Sequence, residues 1–439
     1  MPKTALVINP WVTDFKLYDE WMHPVGLYFL ISLLKFNKWE VHYLNCLERS
    51  THLKSKRYNT ADFPSKEIPK PNLYKNIPRR YKQYGNSEEL FSIKLKGTPK
   101  PDIIFIGTGM TYWIEGLVNT VNKTTDIFPD IPIIIGGTSA TLIPEIIKRK
   151  LPDVEIYSGP LSESFIELIN KKKVCGELSL NNWEPTLIDA FQIIDKHFHG
   201  PVFTSFGCPY RCAYCASPYL NNAFQIRLHN TVIREISYLI GQSGITDFAF
   251  YDDALLYQPE KNFLPLAERI NCLDGNIRLH APNGLHIRWI DEAILDAMKK
   301  CGFVTLRFGY ESGDIRHRKE TSAKTSRKML AEKISIIKSA GFNPSDIGIY
   351  IMGGFPDQKV DDFLEELSFV SSLRVEVKPV FLSPVPHTPL FDYYAEYYPQ
   401  LTQEPLFHND LFFITQLPGW SYQTIEEVKS IARELNKKI

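Results

Sequence analysis

"SFGCPYRCAYCASP", Ser205 to Pro218, places Cys208, Cys212 and Cys215 within eight residues of a 439-residue chain that has seven cysteines in all. The spacing is C-x3-C-x2-C, and it follows directly on the apolar run "PVFTSF". A loop this short curls three thiolates toward one centre, which suits three irons of a cubic iron–sulfur cluster. A cube has four irons, so three protein thiolates leave one iron open to a small molecule. A structural zinc site is the competing reading, with His197, His199 or His229 offering a fourth ligand. Zinc sites of that kind are normally closed by four Cys or His, commonly with a second C-x2-C pair, and no such pair stands near this stretch.

Downstream, strand-like runs recur with helical patterns between them. The runs are "PVFTSF", "DFAFYDD", "IRLHAP", "VTLRFGYES", "IGIYIMGGFP" and "VKPVFLSP", and the helical stretches lie near 232–240, 264–271, 291–300, 326–340 and 361–372. Six such units predict an open, partial (β/α) barrel over 201–393, with active residues where strands end and loops begin. The tail, 394–439, has a last helix near 424–437 and is expected to pack across the barrel.

Upstream, "TALVIN", "EVHYLN", "DIIFIGTG", "IPIIIGG" and "VEIYSG" alternate with helical patterns near 24–36, 114–126, 140–150 and 163–171. This α/β series predicts a doubly wound, five-stranded parallel sheet over 1–172 whose ligand edge is the carboxyl end of its strands. Gly107 to Trp113 and Gly136 to Thr141 lie on that edge, and 173–200 reads as a linker. The insertion 49–100 shows no clear period and carries thirteen Lys and Arg against four Asp and Glu. It reads as a solvated loop wrapped over the domain, or as a cap whose "NIPRRYKQYG", Asn76 to Gly85, contacts an anionic ligand.

The whole chain balances 50 Lys and Arg against 50 Asp and Glu, so bulk charge favours neither a nucleic-acid partner nor a membrane surface. "MPKTALVINPW" does not read as a signal peptide, and the longest apolar stretch, Val25 to Leu34, falls short of the ~20 residues of a membrane helix. The expectation is a cytoplasmic protein without a membrane span, in which reduced cysteines favour metal over disulfide.

Here the sequence resembles a known family. C-x3-C-x2-C after the first strand of a six-unit barrel is the hallmark of the radical S-adenosylmethionine (radical SAM) enzymes. "TSFGCPYRCAYC" looks like the branch with an N-terminal cobalamin-binding-type domain. "HPVGLYFLISLL", "IPIIIGGTSATLIPE", "FAFYDDALL", "LRFGYESG", "IYIMGGFPDQ" and "SPVPHTPLF" are similar to that branch and arrive in its order.

The resemblance implies that Cys208, Cys212 and Cys215 bind a [4Fe-4S] cluster whose fourth iron is chelated by S-adenosylmethionine. An electron from a donor such as flavodoxin or ferredoxin then yields methionine and a 5'-deoxyadenosyl radical, which removes a hydrogen atom from a small-molecule or peptide substrate. Tyr214 matches the aromatic near adenine. Asp252 and Asp253 stand where acceptors for the cosubstrate ammonium are expected, or they cap the following turn. Glu311 resembles the ribose contact, its alternative being a salt bridge with Arg307. Lys324 stands near the position of a basic residue for the methionine carboxylate, with Arg316, Arg318 and Lys319 as competitors. Met352, Gly353 and Gly354 look like the element against which adenine lies flat.

For cobalamin, Gly109, Gly136, Gly137 and Thr138 would line a slot for the nucleotide tail, although the Asp-x-His-x-x-Gly stretch of many cobalamin proteins is absent. Tyr112 and Trp113 either stack on a corrin or fill the space it would take. Methylation is implied if cobalamin binds; rearrangement, coupling or dehydrogenation if it does not. Methylthiotransferases share the barrel, but their N-terminal domain usually carries a further cysteine triad, where this chain has Cys46 alone before Cys175. The alternative from another class is a non-catalytic metal- or corrin-binding module holding zinc at the three cysteines.

Overall fold

A computed structural model describes residues 2–50, 54–171, 178–221, 223–317, 321 and 325–439. The chain divides into two compact units, Met1–Phe198 with Gln403–Leu406, and His199–Thr402 with Phe407–Ile439.

In the first unit the strands of the two larger sheets are, in chain order, β1 (Thr4–Asn9), β2 (Val12–Asp14), β3 (Glu40–Asn45), β4 (Ser65–Glu67), β5 (Lys82–Tyr84), β6 (Ile103–Ile106), β7 (Ile133–Ile135) and β8 (Glu155–Ile156). Its helices are α1 (Val25–Phe36), α2 (Glu88–Gly97), α3 (Ile114–Ile127), α4 (Thr138–Leu142), α5 (Pro144–Lys150) and α6 (Glu163–Lys171). Five strands form one parallel sheet in the order β3-β1-β6-β7-β8. Ala5 to Ile8 and Ile103 to Ile106 are buried throughout, as strands covered on both faces must be. The helix expected near 140–150 is two helices, because Pro144 has no N–H to continue α4 and is suited to begin α5.

The insertion differs from the aperiodic loop that its sequence suggests. Strands β2, β5 and β4 make a small antiparallel sheet, and α2 is capped by the Ser87 side chain, which accepts from Leu90 N–H. Phe15, Tyr74 and Tyr81 pack ring to ring at 4.9 to 5.5 Å. Arg49 is buried, donating to the Asn59 carbonyl at 2.5 Å and to Ser55 Oγ at 2.7 Å. Irregularly spaced aromatic anchors and one buried guanidinium hold this segment, and neither produces a period.

The second unit contains β9 (Gly200–Val202), β10 (Ser205–Phe206), β11 (Gln225–Ile226), β12 (Asp247–Phe250), β13 (Arg278–Leu285), β14 (Phe303–Glu311), β15 (Ile347–Gly353) and β16 (Glu376–Phe381). Six of these form a parallel sheet in chain order, β9-β12-β13-β14-β15-β16, while β10 and β11 pair as a hairpin. This is the partial (β/α) barrel. Helices α7 (His229–Ser243), α8 (Phe263–Asn271), α9 (Glu292–Lys300), α10 (Arg327–Ser339) and α11 (Val360–Ser372) alternate with the strands. At the amino ends, Arg278 and His280 bond the fully buried Asp247, a network on the face of the barrel that serves stability.

Beyond β16 come α12 (Pro389–Tyr397) and α13 (Tyr422–Asn436). Asn436 accepts from Val377 N–H at 2.8 Å and donates to the Val377 carbonyl at 3.0 Å, so a side-chain amide from α13 pairs with edge strand β16. No helix among the described residues is long and apolar enough to cross a membrane.

Candidate functional site

The cysteine loop leaves the barrel after β9 and is bounded by the β10–β11 hairpin. Gly207 has φ +73°, and a Cβ there would lie 2.3 Å from the Ala223 carbonyl, so the turn admits only glycine. Cys212 is buried, and Cys208 and Cys215 are half-buried. Cys215 N–H closes a turn on the Cys212 carbonyl at 3.0 Å, and Ser217 N–H points at Cys215 Sγ at 3.5 Å. Burial pushes the Cys208 thiol up to about 11, and the charges of Asp253, Cys215 and Cys212 add to the shift. Burial also raises Cys215, against the Ser217 hydroxyl and N–H. A bound cation reverses such shifts, since thiolates are the metal ligands.

Asp252 has a different task from the one its position suggests. It is buried, and it accepts from Thr204 N–H at 3.1 Å, from Thr204 Oγ at 2.6 Å and from Ser205 Oγ at 2.6 Å. The carboxylate thereby ties the end of β12 to the start of the cysteine loop. Asp253 is exposed, accepts from Ser217 Oγ at 2.8 Å, and acts electrostatically on Cys208 and Cys215. Of the pair, Asp253 is the one presented to the thiols.

Tyr214, between the second and third cysteines, donates to Glu311 Oε1 at 3.2 Å. Glu311 ends β14 after a register shift and holds φ +64°, a left-handed conformation uncommon for a residue other than glycine. Burial and the Glu311 charge raise the Tyr214 hydroxyl. Arg307 is not the partner of Glu311; it pairs with Glu376 at 3.3 Å and donates to the Asp346 carbonyl. At the end of β15, Gly353 faces the helix layer, where a Cβ would lie 3.1 Å from both Phe381 and Trp420. Met352 is buried, and its carbonyl accepts from Gln358 Nε2 at 3.2 Å, while Gln358 Oε1 accepts from the N–H of Gly354 and of Phe355. Glycine at 353 thus meets a packing demand. Lys324, with Arg318 and Lys319, lies outside the described residues, and Arg316 pairs with Asp314 and Asp362.

Beside this loop is a recess lined by Tyr210, Asp252, Asp253, Tyr257, His286 and Trp289 among others. The His286 ring lies 4.4 Å from Tyr210, whose hydroxyl accepts from Trp289 Nε1 at 2.7 Å. Strand β13 bulges between Ala281 and Leu285, with Gly284 at φ +78°, and so turns Asn283 toward this recess. Sequence reasoning missed this aromatic wall and Gln358, because single side chains after strands leave no spacing to read.

In the first unit, the loops after β6 and β7 are stitched together. Thr108 Oγ donates to the Gly136 carbonyl at 2.9 Å and accepts from Ala140 N–H, Ser139 Oγ donates to the Gly109 carbonyl at 2.7 Å, and Thr138 N–H donates to the Thr108 carbonyl. Gly137 holds φ +99° against Thr108. Tyr112 is buried. Trp113 Nε1 donates to Asp14 Oδ2 at 3.0 Å.

Residues 202–367 match the family model described as the radical SAM superfamily. The second unit carries a radical SAM domain. Enzymes built on such a domain use a [4Fe-4S] cluster and S-adenosylmethionine. The chain is 27% identical over 312 residues to tRNA-2-methylthio-N(6)-dimethylallyladenosine synthase of Clostridium novyi, covering 69% of this chain and 62% of the relative. It thus spans about three-fifths of that relative's length. An uncharacterized methyltransferase of Pyrococcus horikoshii is 24% identical over 333 residues, 67% of this chain and 69% of its own. In fold, the chain is similar to the radical S-adenosylmethionine methyltransferase TsrM of Kitasatospora setae, solved with cobalamin and a [4Fe-4S] cluster, at a TM-score of 0.64 and 14% identity over 90% of this chain and 78% of that one. It is also similar to the cobalamin-dependent radical enzyme OxsB with aqua-cobalamin, at a TM-score of 0.58 and 15% identity over 92% of this chain and 56% of that one.

The donor set around the radical SAM domain's cysteines fits the cluster. Three thiols on one short loop act on one another electrostatically, and an N–H is directed at one sulfur, as outer-shell donors to a cluster are. Among the described residues, no three His, Cys, Asp or Glu side chains, Cys208, Cys212 and Cys215 included, lie close enough to hold a single metal ion. His197 bonds the Phe191 carbonyl, and His229 faces Asn262 and Arg269.

Proposed function

We propose that this protein is a radical SAM enzyme in which Cys208, Cys212 and Cys215 hold the [4Fe-4S] cluster and the ends of β12, β14 and β15 receive S-adenosylmethionine. When bound, this pair supplies one-electron reductive cleavage of the sulfonium and a 5'-deoxyadenosyl radical for hydrogen abstraction. The observation that carries the reading is the cysteine triad on the first barrel loop, inside the matched domain.

The chain's own residues then divide the work. Asp252 holds the root of the loop through Thr204 and Ser205. Asp253 presents a carboxylate to an ammonium beside the cysteines. Glu311, oriented by the Tyr214 hydroxyl, offers oxygens to ribose hydroxyls. Gln358 fixes the backbone of Met352 to Phe355, along which an adenine edge is received. The aromatic recess, whose Tyr210 ring belongs to the cysteine loop, shields the site from water on one side.

The substrate is proposed to be a small molecule or peptide, and the electron donor a flavodoxin or ferredoxin; the balance of 50 cations and 50 anions supports a substrate other than nucleic acid. Fold likeness to TsrM and OxsB favours, as a second reading, cobalamin-dependent methylation. The first-unit residues do not fit that cofactor, for reasons argued below, so no step is assigned to it. Anaerobic reconstitution with iron and sulfide, reduction, and addition of S-adenosylmethionine should give a cluster signal by electron paramagnetic resonance and 5'-deoxyadenosine by chromatography. Failure of a cluster-loaded, reduced sample to form 5'-deoxyadenosine refutes the reading.

A further inference from the structure

In a parallel sheet of order β3-β1-β6-β7-β8 the winding reverses between β1 and β6, and the crevice outside the carboxyl ends of those two strands is where a ligand's tail enters. In this chain the segments that follow both strands are packed around indoles. After β1, Trp11 is fully buried; its N–H donates to Thr120 Oγ at 3.3 Å, its Nε1 to the Asn86 carbonyl at 2.8 Å, and its ring meets Phe91 at 4.7 Å. Helix α3 presses against the same loop so closely that a Cβ at Gly116 would lie 2.2 Å from the Trp11 carbonyl.

After β6, the Trp113 ring covers the backbone of Gly109, where a Cβ would lie 2.7 Å from it. That ring packs against the buried cluster of Val12, Leu47, Phe63 and Tyr84, and its Nε1 bonds Asp14. Two members of the cluster, Phe63 and Tyr84, come from the insertion. The hydroxyls of Thr108, Ser139 and Thr141 donate to carbonyls of the loops after β6 and β7. Admitting a tail would break the Trp113–Asp14 bond, bare an apolar cluster and dislodge a buried indole, and no ligand group could restore all three.

We propose that the first unit has kept the doubly wound scaffold while Trp11 and Trp113 close its ligand crevice, so that the protein does not take cobalamin there. This extends the radical SAM reading and is separable from it. The full chain, reconstituted anaerobically with its cluster, is incubated with hydroxocobalamin and passed through gel filtration, and iron, corrin absorbance and 5'-deoxyadenosine are measured on the same fraction. The expected result is fewer than about one corrin per ten chains at a concentration that fills a micromolar site, with iron and 5'-deoxyadenosine unaffected. Corrin at or above that level overturns the proposal, whatever the cluster does. Loss of iron and 5'-deoxyadenosine without corrin counts only against the radical reading. Trp113→Ala, which removes the ring over Gly109, is expected to raise corrin retention; no rise in a variant that keeps its circular dichroism spectrum overturns Trp113 as a closing residue.

Discussion

Asp252→Ala tests the claim that one buried carboxylate organises the cysteine loop. In the folded chain three donors converge on it: Thr204 N–H, Thr204 Oγ and Ser205 Oγ, on residues that are 0% and 1% exposed. Each buried donor left without an acceptor costs about 1–3 kcal/mol, so removing the carboxylate exposes a gross loss of about 3–9 kcal/mol, less whatever the two hydroxyls recover by rotating. Alanine also relieves a cost. Burial, partly offset by the hydrogen bonds from Ser205 and Thr204, pushes the Asp252 pKa from 3.8 up to about 6, a net penalty of about 3 kcal/mol on the ionised form above pH 6. The net change at pH 8 is then a destabilisation of at most about 6 kcal/mol, concentrated at the loop and reduced by what the hydroxyls recover.

The sign of the pH effect follows from the same shift. A carboxyl raised in the folded state binds its proton there more tightly than in the unfolded chain, so the wild type gains stability as pH falls through 6. Between pH 8 and pH 5 that gain is about 1.4 kcal/mol, and Asp252→Ala has none of it, so the gap between the two proteins widens in mild acid. Melting of the metal-free proteins at both pH values measures the gap, and iron per chain after reconstitution reports the loop. Asp252→Asn, which keeps one acceptor oxygen without the charge, should fall between the two. An Asp252→Ala protein that loads iron like wild type and melts with it at both pH values refutes the assignment.

Replacing any one of Cys208, Cys212 or Cys215 by Ala should abolish the cluster signal and 5'-deoxyadenosine formation while leaving the far-ultraviolet spectrum of the fold intact. Tyr214→Phe removes a hydrogen bond to a carboxylate at 3.2 Å, and a loss of about 1.5 kcal/mol predicts a KM for S-adenosylmethionine raised about tenfold with a smaller change in kcat. Gln358→Ala leaves Gly354 N–H and Phe355 N–H without their acceptor, so a destabilisation of about 2–4 kcal/mol is expected by urea unfolding. His408, fully buried and bonded to the Leu401 carbonyl at 2.8 Å, is pushed by burial from 6.5 down to about 4. Its contribution is complete above pH 6.5 and is lost as pH falls toward 4, by about 2–3 kcal/mol at pH 4.5; His408→Asn should flatten that part of the urea-midpoint profile.

What the letters reveal depends on whether a structural demand repeats along the chain. Burial on both faces of a parallel strand demands consecutive branched residues, so "TALVIN" and "IPIIIGG" announce β1 and β7, and six alternating units announce the barrel. The thiols are legible for a related reason: a cluster needs several donors on one loop, and that leaves a spacing. The insertion carries no such mark. Tyr74 and Tyr81 pack on Phe15 and on each other while Tyr84 joins Val12, Leu47 and Phe63, all at irregular intervals, so a folded antiparallel sheet reads as a charged loop.

Asp252 and Asp253 show where reading stops more sharply, because adjacent, chemically identical side chains have opposite surroundings. On an extended segment successive side chains point to opposite sides, so a pair of acids at a strand end sends one inward and one outward, and the letters alone do not say which. The inward one meets Thr204 and Ser205, which belong to the preceding loop and lie nearly fifty residues away in sequence. Trp113 poses the same ambiguity at the other sheet: an indole at a strand's carboxyl end is as good a platform for a planar cofactor as it is a plug. The partner decides between them, and here it is Asp14 at the end of β2, which bonds the indole N–H and holds the ring over Gly109. A ligand tail that enters beside Trp113 must displace the indole from Asp14 and from the apolar cluster behind it, which is why the corrin measurement bears on the fold as much as on the chemistry.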